Sequence, residues 1–386
     1  MIIQITTGEL ARSLKLATKV IQKKAAMPML ERVVIKCNGD CSFQMIAGNS
    51  DAGLTTPIAF SVIEGEQIPV FAFHPSEILS VVQTMSADTV LNVNIEEKGD
   101  GGMLCFKHIN GEFSIPYVDA DEYPMPAKLT EETCAIHLSK DVLLPAISQA
   151  SKFTKISDVR PQLGSVLIDV KQDELAIVGT DTKVFYRKIY GNGTHGNGAP
   201  FLDRGTSAEL VLFSPNLLPL LSIFAESETI DICTNGKITL FADGFTEYVM
   251  RNVEYKYPNY KSIIPSISAA YQMDVEKDVL MAIARRLRVF TTGDSELLAL
   301  KVSNGEVEML AEDVDMALSA NESVPVQAVG VPDMTVGFNS TNFLLCLQAM
   351  EAETVRLYVT SPERVVVVGA ASEDTSLITM FAPMLL

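Results

Sequence analysis

One segment recurs three times along the chain, and it limits the fold to three copies of a domain-sized unit. It reads FHPSEILSVVQTMSADTV from Phe73, FSPNLLPLLSIFAESETI from Phe213 and FNSTNFLLCLQAMEAETV from Phe338. In each copy a Phe is followed sixteen residues later by Thr and a β-branched residue: Thr89-Val90, Thr229-Ile230 and Thr354-Val355. The copies lie 140 and 125 residues apart, too far for a solenoid unit. Each has a polar helix entry, an apolar helical run and acidic residues before a strand.

A second segment recurs upstream of each copy: ITTGELARSLKLATKVI from Ile5, LSKDVLLPAISQASKF from Leu138 and VEKDVLMAIARRLRVF from Val275. All three combine a short strand, an acidic helix entry and a 3.6-residue apolar rhythm, with Leu10, Leu143 and Leu280 in equivalent places. Pro145 is expected in the first turns of its helix or at a kink. Between the helices lie alternating segments with turn signals: LERVVIKCNGDCSFQMIAG, GSVLIDVKQDELAIVGT and LALKVSNGEVEMLAED. The first two copies close on Tyr123-Pro124 and Tyr257-Pro258. Each unit is therefore expected to hold two helices and roughly eight strands, an α+β domain. The domains are expected at 1–126, 127–263 and 264–386.

The net charge is −18, which alone argues against a nucleic-acid partner. The charge is unevenly spread. Residues 8–24, 138–160 and 275–290, the first helical segment of each copy, hold thirteen Lys/Arg and five acids, a sum of +8 that leaves −26 on the rest. Arg12, Lys15, Lys19 and Lys23 are spaced 3, 4 and 4, one face of a helix, with Leu10, Leu14 and Ile21 available for burial. Lys24, Lys152, Lys155, Arg160 and Arg285 belong to the same basic segments. Three such helices facing one channel would hold phosphates without reading bases.

Nothing converges on chemistry. The six cysteines are scattered apart from Cys37 and Cys41, whose intervening Asn-Gly-Asp reads as a turn, and no histidine cluster makes a zinc pattern. Residues 191–196, GNGTHG, fit G-x-G-x-x-G, but a loop and strand follow rather than a helix. Asp313 and Asp315 could suggest a metal-dependent nuclease; Asp51 and Asp181 hold comparable places, so turn and capping roles are preferred. The four histidines pair with no nucleophile signature. No catalytic residue, metal or cofactor is expected. No apolar run is long enough to cross a bilayer, and the first residues do not read as a signal peptide, so a cytoplasmic protein is expected.

The chain resembles the bacterial DNA polymerase III beta subunit, the sliding-clamp family. The resemblance rests on MPMLERVVI, IVGTDTKVF, YKYPNYKSIIP, VGFNSTNFLLCLQAM and ITMFAPMLL, in that order and spacing. It implies three domains with helices inside and sheets outside, and two subunits closed head to tail around duplex DNA of any sequence. It implies a homodimer interface of Phe113 and Ile115 against Val289 and Phe290. It implies an apolar pocket for short linear motifs of the polymerase III catalytic subunit and the clamp loader, at Leu163, Thr180, Phe185, Pro258, Asn339, Asn342, Val365, Met380, Phe381, Pro383 and Met384. The chain departs from the family pattern at Thr182-Lys183-Val184, at Asn342, at Leu385, and at Pro215 and Asn216. Those departures leave room for a clamp-like paralogue that binds peptides without loading on DNA.

Overall fold

Each repeat opens on a strand that runs straight into a helix. In a computed structural model these pairs are Ile2–Thr6 with α1 (Thr7–Val20), Cys134–Ser139 with α3 (Lys140–Lys152), and Tyr271–Glu276 with α7 (Lys277–Leu287). The structure describes residues 1–39, 42–64, 69–99, 101–130, 134–191, 202–204, 207–291, 296–313, 316–328 and 330–386. Thr6 caps α1 by accepting from the Glu9 N–H. The Phe-led segments form α2 (Pro75–Val82) and α8 (Ser340–Gln348), but in the second repeat a broken pair, α4 (Ser214–Leu217) and α5 (Leu220–Ile223). Pro219 sits at the break, as a residue without an N–H cannot continue the ladder. One short helix, α6 (Tyr260–Ile263), follows the second Tyr-Pro corner. Pro145 lies inside α3 with its ring on the exposed side.

Among the described residues there are 27 strands, nine rather than eight to each repeat. They fall into two compact units. The first comprises Met1–Leu144, Leu202–Thr206 and Pro215–Asn252, the second Pro145–Phe201, Ser207–Ser214 and Val253–Leu386, so the second repeat contributes to both. The first unit holds one antiparallel sheet of 14 strands, the second a sheet of nine and a sheet of four.

Repeats join edge to edge within these sheets. In the first unit Ala52–Ile58 of repeat one pairs with Glu247–Arg251 of repeat two, from Thr55↔Glu247 to Ala52↔Met250. In the second, Val184–Gly191 of repeat two pairs with Leu377–Phe381 of repeat three, from Val184↔Phe381 to Lys188↔Leu377. By order in the repeat, the strands matching these partners are Leu318–Val324 of repeat three and Gly111–Asp119 of repeat one. Leu318–Val324 pairs with Glu306–Asp313 alone, and Gly111–Asp119 has a second neighbour only at Val118 and Asp119, so both edges are open among the described residues.

The helices cover the sheets through their apolar faces. Leu10, Leu14 and Ala17 of α1 are fully buried against a core that includes Phe71, Phe73, Ile78 and Phe106. In the second unit Phe343 of α8 meets Phe338 and Phe381 with ring centroids 4.5 and 5.3 Å away. Gly179 is required where its strand touches α3: a Cβ there would fall 2.2 Å from the Ala150 carbonyl oxygen. The Asn304-Gly305 turn has both residues at positive φ (53° and 81°), the tight hairpin that NGE predicts.

Candidate nucleic-acid, partner and dimer surfaces

Burial of the apolar stripe leaves Arg12, Lys15 and Lys19 exposed on the outer side of α1. The spacing of 3, 4 and 4 predicts Lys23 on the same face, but Ile21 turns to extended backbone (ψ 129°) and ends the helix at Val20. Lys23 follows in the exposed turn, and Lys24 occupies a left-handed conformation (φ 58°). Arg12 is not a free charge. Its Nε and Nη2 donate to the Glu9 carboxylate at 3.0 and 2.8 Å. In the second repeat Lys152, Lys155 and Arg160 are exposed, Lys152 donating to the Gln149 side chain at 3.1 Å.

On α7 and the turn that follows it, three arginines have different surroundings. Arg286 makes a bidentate pair with Glu322 at 2.8 and 2.5 Å, and Arg288 reaches Glu296 at 2.5 Å. Hydrogen bonds hold both glutamates below the usual carboxylate range, chiefly from Arg286 for Glu322 and from Thr341, then Arg288, for Glu296. Arg285 is exposed and has no ion pair among the described residues. The basic helices therefore present fewer available cations than a sum of +8 implies. Glu9 was legible three residues from Arg12; Glu322 reaches Arg286 from 36 residues away and Glu296 reaches Arg288 from eight, spacings that carry no local helical signal.

The peptide-pocket residues all lie in the second unit, and the strand Leu377–Phe381 divides them between its two faces. Phe185 and Met380 are cross-strand partners and join one apolar cluster with Val365, Tyr257 and Tyr260, next to Pro258. Phe381 instead enters the aromatic group with Phe338 and Phe343, a core role. Asn339 caps α8 by accepting from the Asn342 N–H at 3.0 Å, so this pair closes a helix end. Leu163 and Thr180 are buried; the Thr180 hydroxyl donates to the Val184 carbonyl at 2.7 Å. Pro383 and Met384 stay half-buried, with the Met384 N–H bonded to the Gly337 carbonyl at 2.7 Å.

Phe113 and Ile115 are half-buried on the open strand of the first unit, Phe113 stacking on Phe106 at 5.4 Å. Val289 and Phe290 follow α7 in the second unit, on a single 3-10 turn, 76% and 38% exposed.

The nuclease alternative finds no support in position. Asp313 accepts from the Met316 N–H at 2.9 Å, a turn contact, while Asp315 and residues 192–196 of GNGTHG lie outside the described residues. Asp181 caps its turn, accepting from the N–H groups of Lys183 and Val184, both at 2.8 Å. In the first repeat that role belongs to Asn49 rather than Asp51. Among the described residues no three His, Cys, Asp or Glu converge, and no helix is long and apolar enough to cross a membrane.

The family described as DNA polymerase III beta subunit, C-terminal domain, matches residues 261–384. A beta sliding clamp of Bacillus subtilis is 22% identical over 96% of both chains, and one of Synechococcus elongatus 22% identical over 92% of this chain and 91% of that one. The fold superimposes over the whole of both chains on a sliding clamp of Pseudomonas aeruginosa (TM-score 0.88, 17% identity) and on the DNA polymerase III beta subunit of Thermotoga maritima (0.87, 18%). A matched third repeat, relatives spanning nearly the whole length and a fold shared over the whole of both chains make this chain similar throughout to bacterial DNA polymerase III beta subunits, the sliding clamps.

Proposed function

We propose that the chain is a DNA sliding clamp, a ring-forming processivity factor that performs no chemistry itself, and that polymerase activity resides in a partner it tethers. The observation that carries this reading is the pattern of joints. Two are made inside the chain, and the strands equivalent to their two sides are left open at Leu318–Val324 and Gly111–Asp119. Long open edges invite pairing. Two chains joined head to tail at both edges satisfy them and close a ring with two-fold symmetry. Phe113 and Ile115 of one chain would then meet Val289 and Phe290 of the other.

The proposed domains are 1–126, 127–263 and 264–386. Arg12, Lys15, Lys19, Lys23, Lys24, Lys152, Lys155, Arg160 and Arg285 are the proposed phosphate contacts, sequence-independent and salt-sensitive. Leu163, Thr180, Phe185, Pro258, Val365, Met380, Pro383 and Met384 are the proposed pocket for short linear motifs of the polymerase and clamp loader, with Asn339, Asn342 and Phe381 shaping it from beneath. The proposed compartment is the cytoplasm.

The test is light scattering after size exclusion, together with retention on circular DNA. A dimer that stays on closed circles once loaded and runs off after linearisation is expected. A strictly monomeric chain at micromolar concentration would refute the ring. A second reading, a paralogue that binds peptides but does not load, is favoured by the glutamates that occupy Arg12, Arg286 and Arg288. Peptide binding by a dimer without retention on circles would select it.

A further inference from the structure

The joint between the first and second repeats holds an open cavity that neither the basic helices nor the proposed partner pocket explains. It lies wholly in the first unit and measures about 700 Å³, the size of a ligand-anchoring site. Leu30, Pro124, Ile238, Val249 and Met250 line it.

This lining repeats the second joint position by position. Leu30 sits on the 3-10 turn Pro28–Glu31 and Leu163 on Pro161–Gly164, each turn led by its proline. Asn49 and Asp181 make the same side-chain turn. Val249 pairs with Gly53 as Met380 pairs with Phe185, and Met250 with Ala52 as Phe381 with Val184. Pro124 and Pro258 each follow the corner tyrosine. The strand registers put Ile238 in the place of Val365.

The two joints differ in what fills them. In the second, Phe185 stacks on Tyr260 with centroids 6.4 Å apart. In the first, those places hold Gly53 and Pro126, and a Cβ on Gly53 would fall 2.5 Å from the Pro126 Cγ. Replacing two aromatic rings by this pair leaves the volume open. Its mouth is cationic. Lys24 and Arg251 line it, both exposed and without an ion pair among the described residues. Asp51, whose carboxylate accepts from the Ser50 hydroxyl at 2.7 Å, is the single acid in the lining. Met27 and Met125, about half exposed, add thioethers that adapt to an incoming side chain.

We propose that this cavity docks a short peptide segment of a partner protein, one that carries bulky apolar side chains beside carboxylates. The apolar lining receives the side chains, while Lys24 and Arg251 meet the acids. Phosphate alone would use the mouth and leave the floor empty. The inference uses the repeat equivalence behind the proposed partner pocket but does not depend on that pocket being occupied.

The test is methyl NMR of the full chain labelled at the methionine methyls, titrated with acetyl-Gly-Leu-Leu-Glu-Glu-Gly-amide. Saturable shifts at Met27, Met125 and Met250 are expected, weakened at least about tenfold by Arg251→Glu, an exposed change, and by Ala127→Trp, which fills the rim. Shifts at Met380 and Met384 report the other pocket separately, so either site can fail alone. The proposal is overturned if the first three methyls do not move at millimolar peptide. It is equally overturned if their shifts survive both variants, or if a short DNA duplex moves them and the peptide does not.

Discussion

The double variant Val289→Ser with Phe290→Ser tests the joint between chains directly. In the single chain these side chains are 76% and 38% exposed, so Val289 adds little to the third repeat while Phe290 is already partly covered by it. Fully burying an apolar side chain of this size contributes about 1.5–3 kcal/mol. Scaled by the exposed fractions, covering both at a joint contributes about 2–3 kcal/mol. A ring has two such joints, so stripping the apolar cover from both removes about 4–6 kcal/mol and raises the dimer dissociation constant by about a thousand- to twenty-thousand-fold. Sedimentation across a concentration series reads that constant, and thermal unfolding monitored by circular dichroism checks that each chain remains folded. A dissociation constant within about threefold of the parent, in a folded variant, would refute the assignment of this turn to the joint.

Replacing Lys15 and Lys19 with Gln is expected to lower the slope of log affinity against log salt by about 0.9 for each phosphate no longer neutralised, read by duplex-DNA binding at several ionic strengths; an unchanged slope removes α1 from the DNA surface. Gly179→Ala forces a methyl to within 2.2 Å of a backbone oxygen and is expected to destabilise the second unit by about 1–3 kcal/mol or more, seen as a lowered denaturant midpoint. Phe343→Ala removes the ring that meets both Phe338 and Phe381 and should cost about 3–5 kcal/mol by the same assay. The folded-state pKa of Glu296 is depressed, so its stabilisation is present above the unfolded carboxylate range and is lost as pH falls through the folded value. The melting temperature should therefore fall with acidification below about pH 4.3, and Glu296→Gln should reduce that dependence.

The repeat was legible because it lies in the order of residue types: a Phe, and sixteen residues later a Thr followed by a β-branched residue. So was the burial of Leu10 and Leu14, which local periodicity dictates. Three kinds of information were not. The end of α1 at Val20 has no glycine or proline to mark it, so the spacing puts Lys23 on a face the helix never reaches. The pairing of Arg286 with Glu322 spans 36 residues and depends on the register of an edge strand. Phe381 and Met380 are adjacent and both apolar, and only the pleat reveals that one enters the aromatic core while the other faces the Phe185 cluster.

Each repeat ends in a strand edge that must be covered, and two of the three covers are built into one polypeptide, where they cannot part without disrupting a continuous sheet. In the proposed ring the third is left to a second copy, and the ion pairs close to Val289 and Phe290 in sequence or reach, Arg286 to Glu322 and Arg288 to Glu296, lie within a single chain. An interface built this way depends on apolar contact and strand pairing rather than on charges exchanged between copies. It therefore loses little to salt screening, whereas phosphate contacts weaken steeply. Raising the salt should then release DNA before it releases the partner chain, an order set by the charge distribution alone.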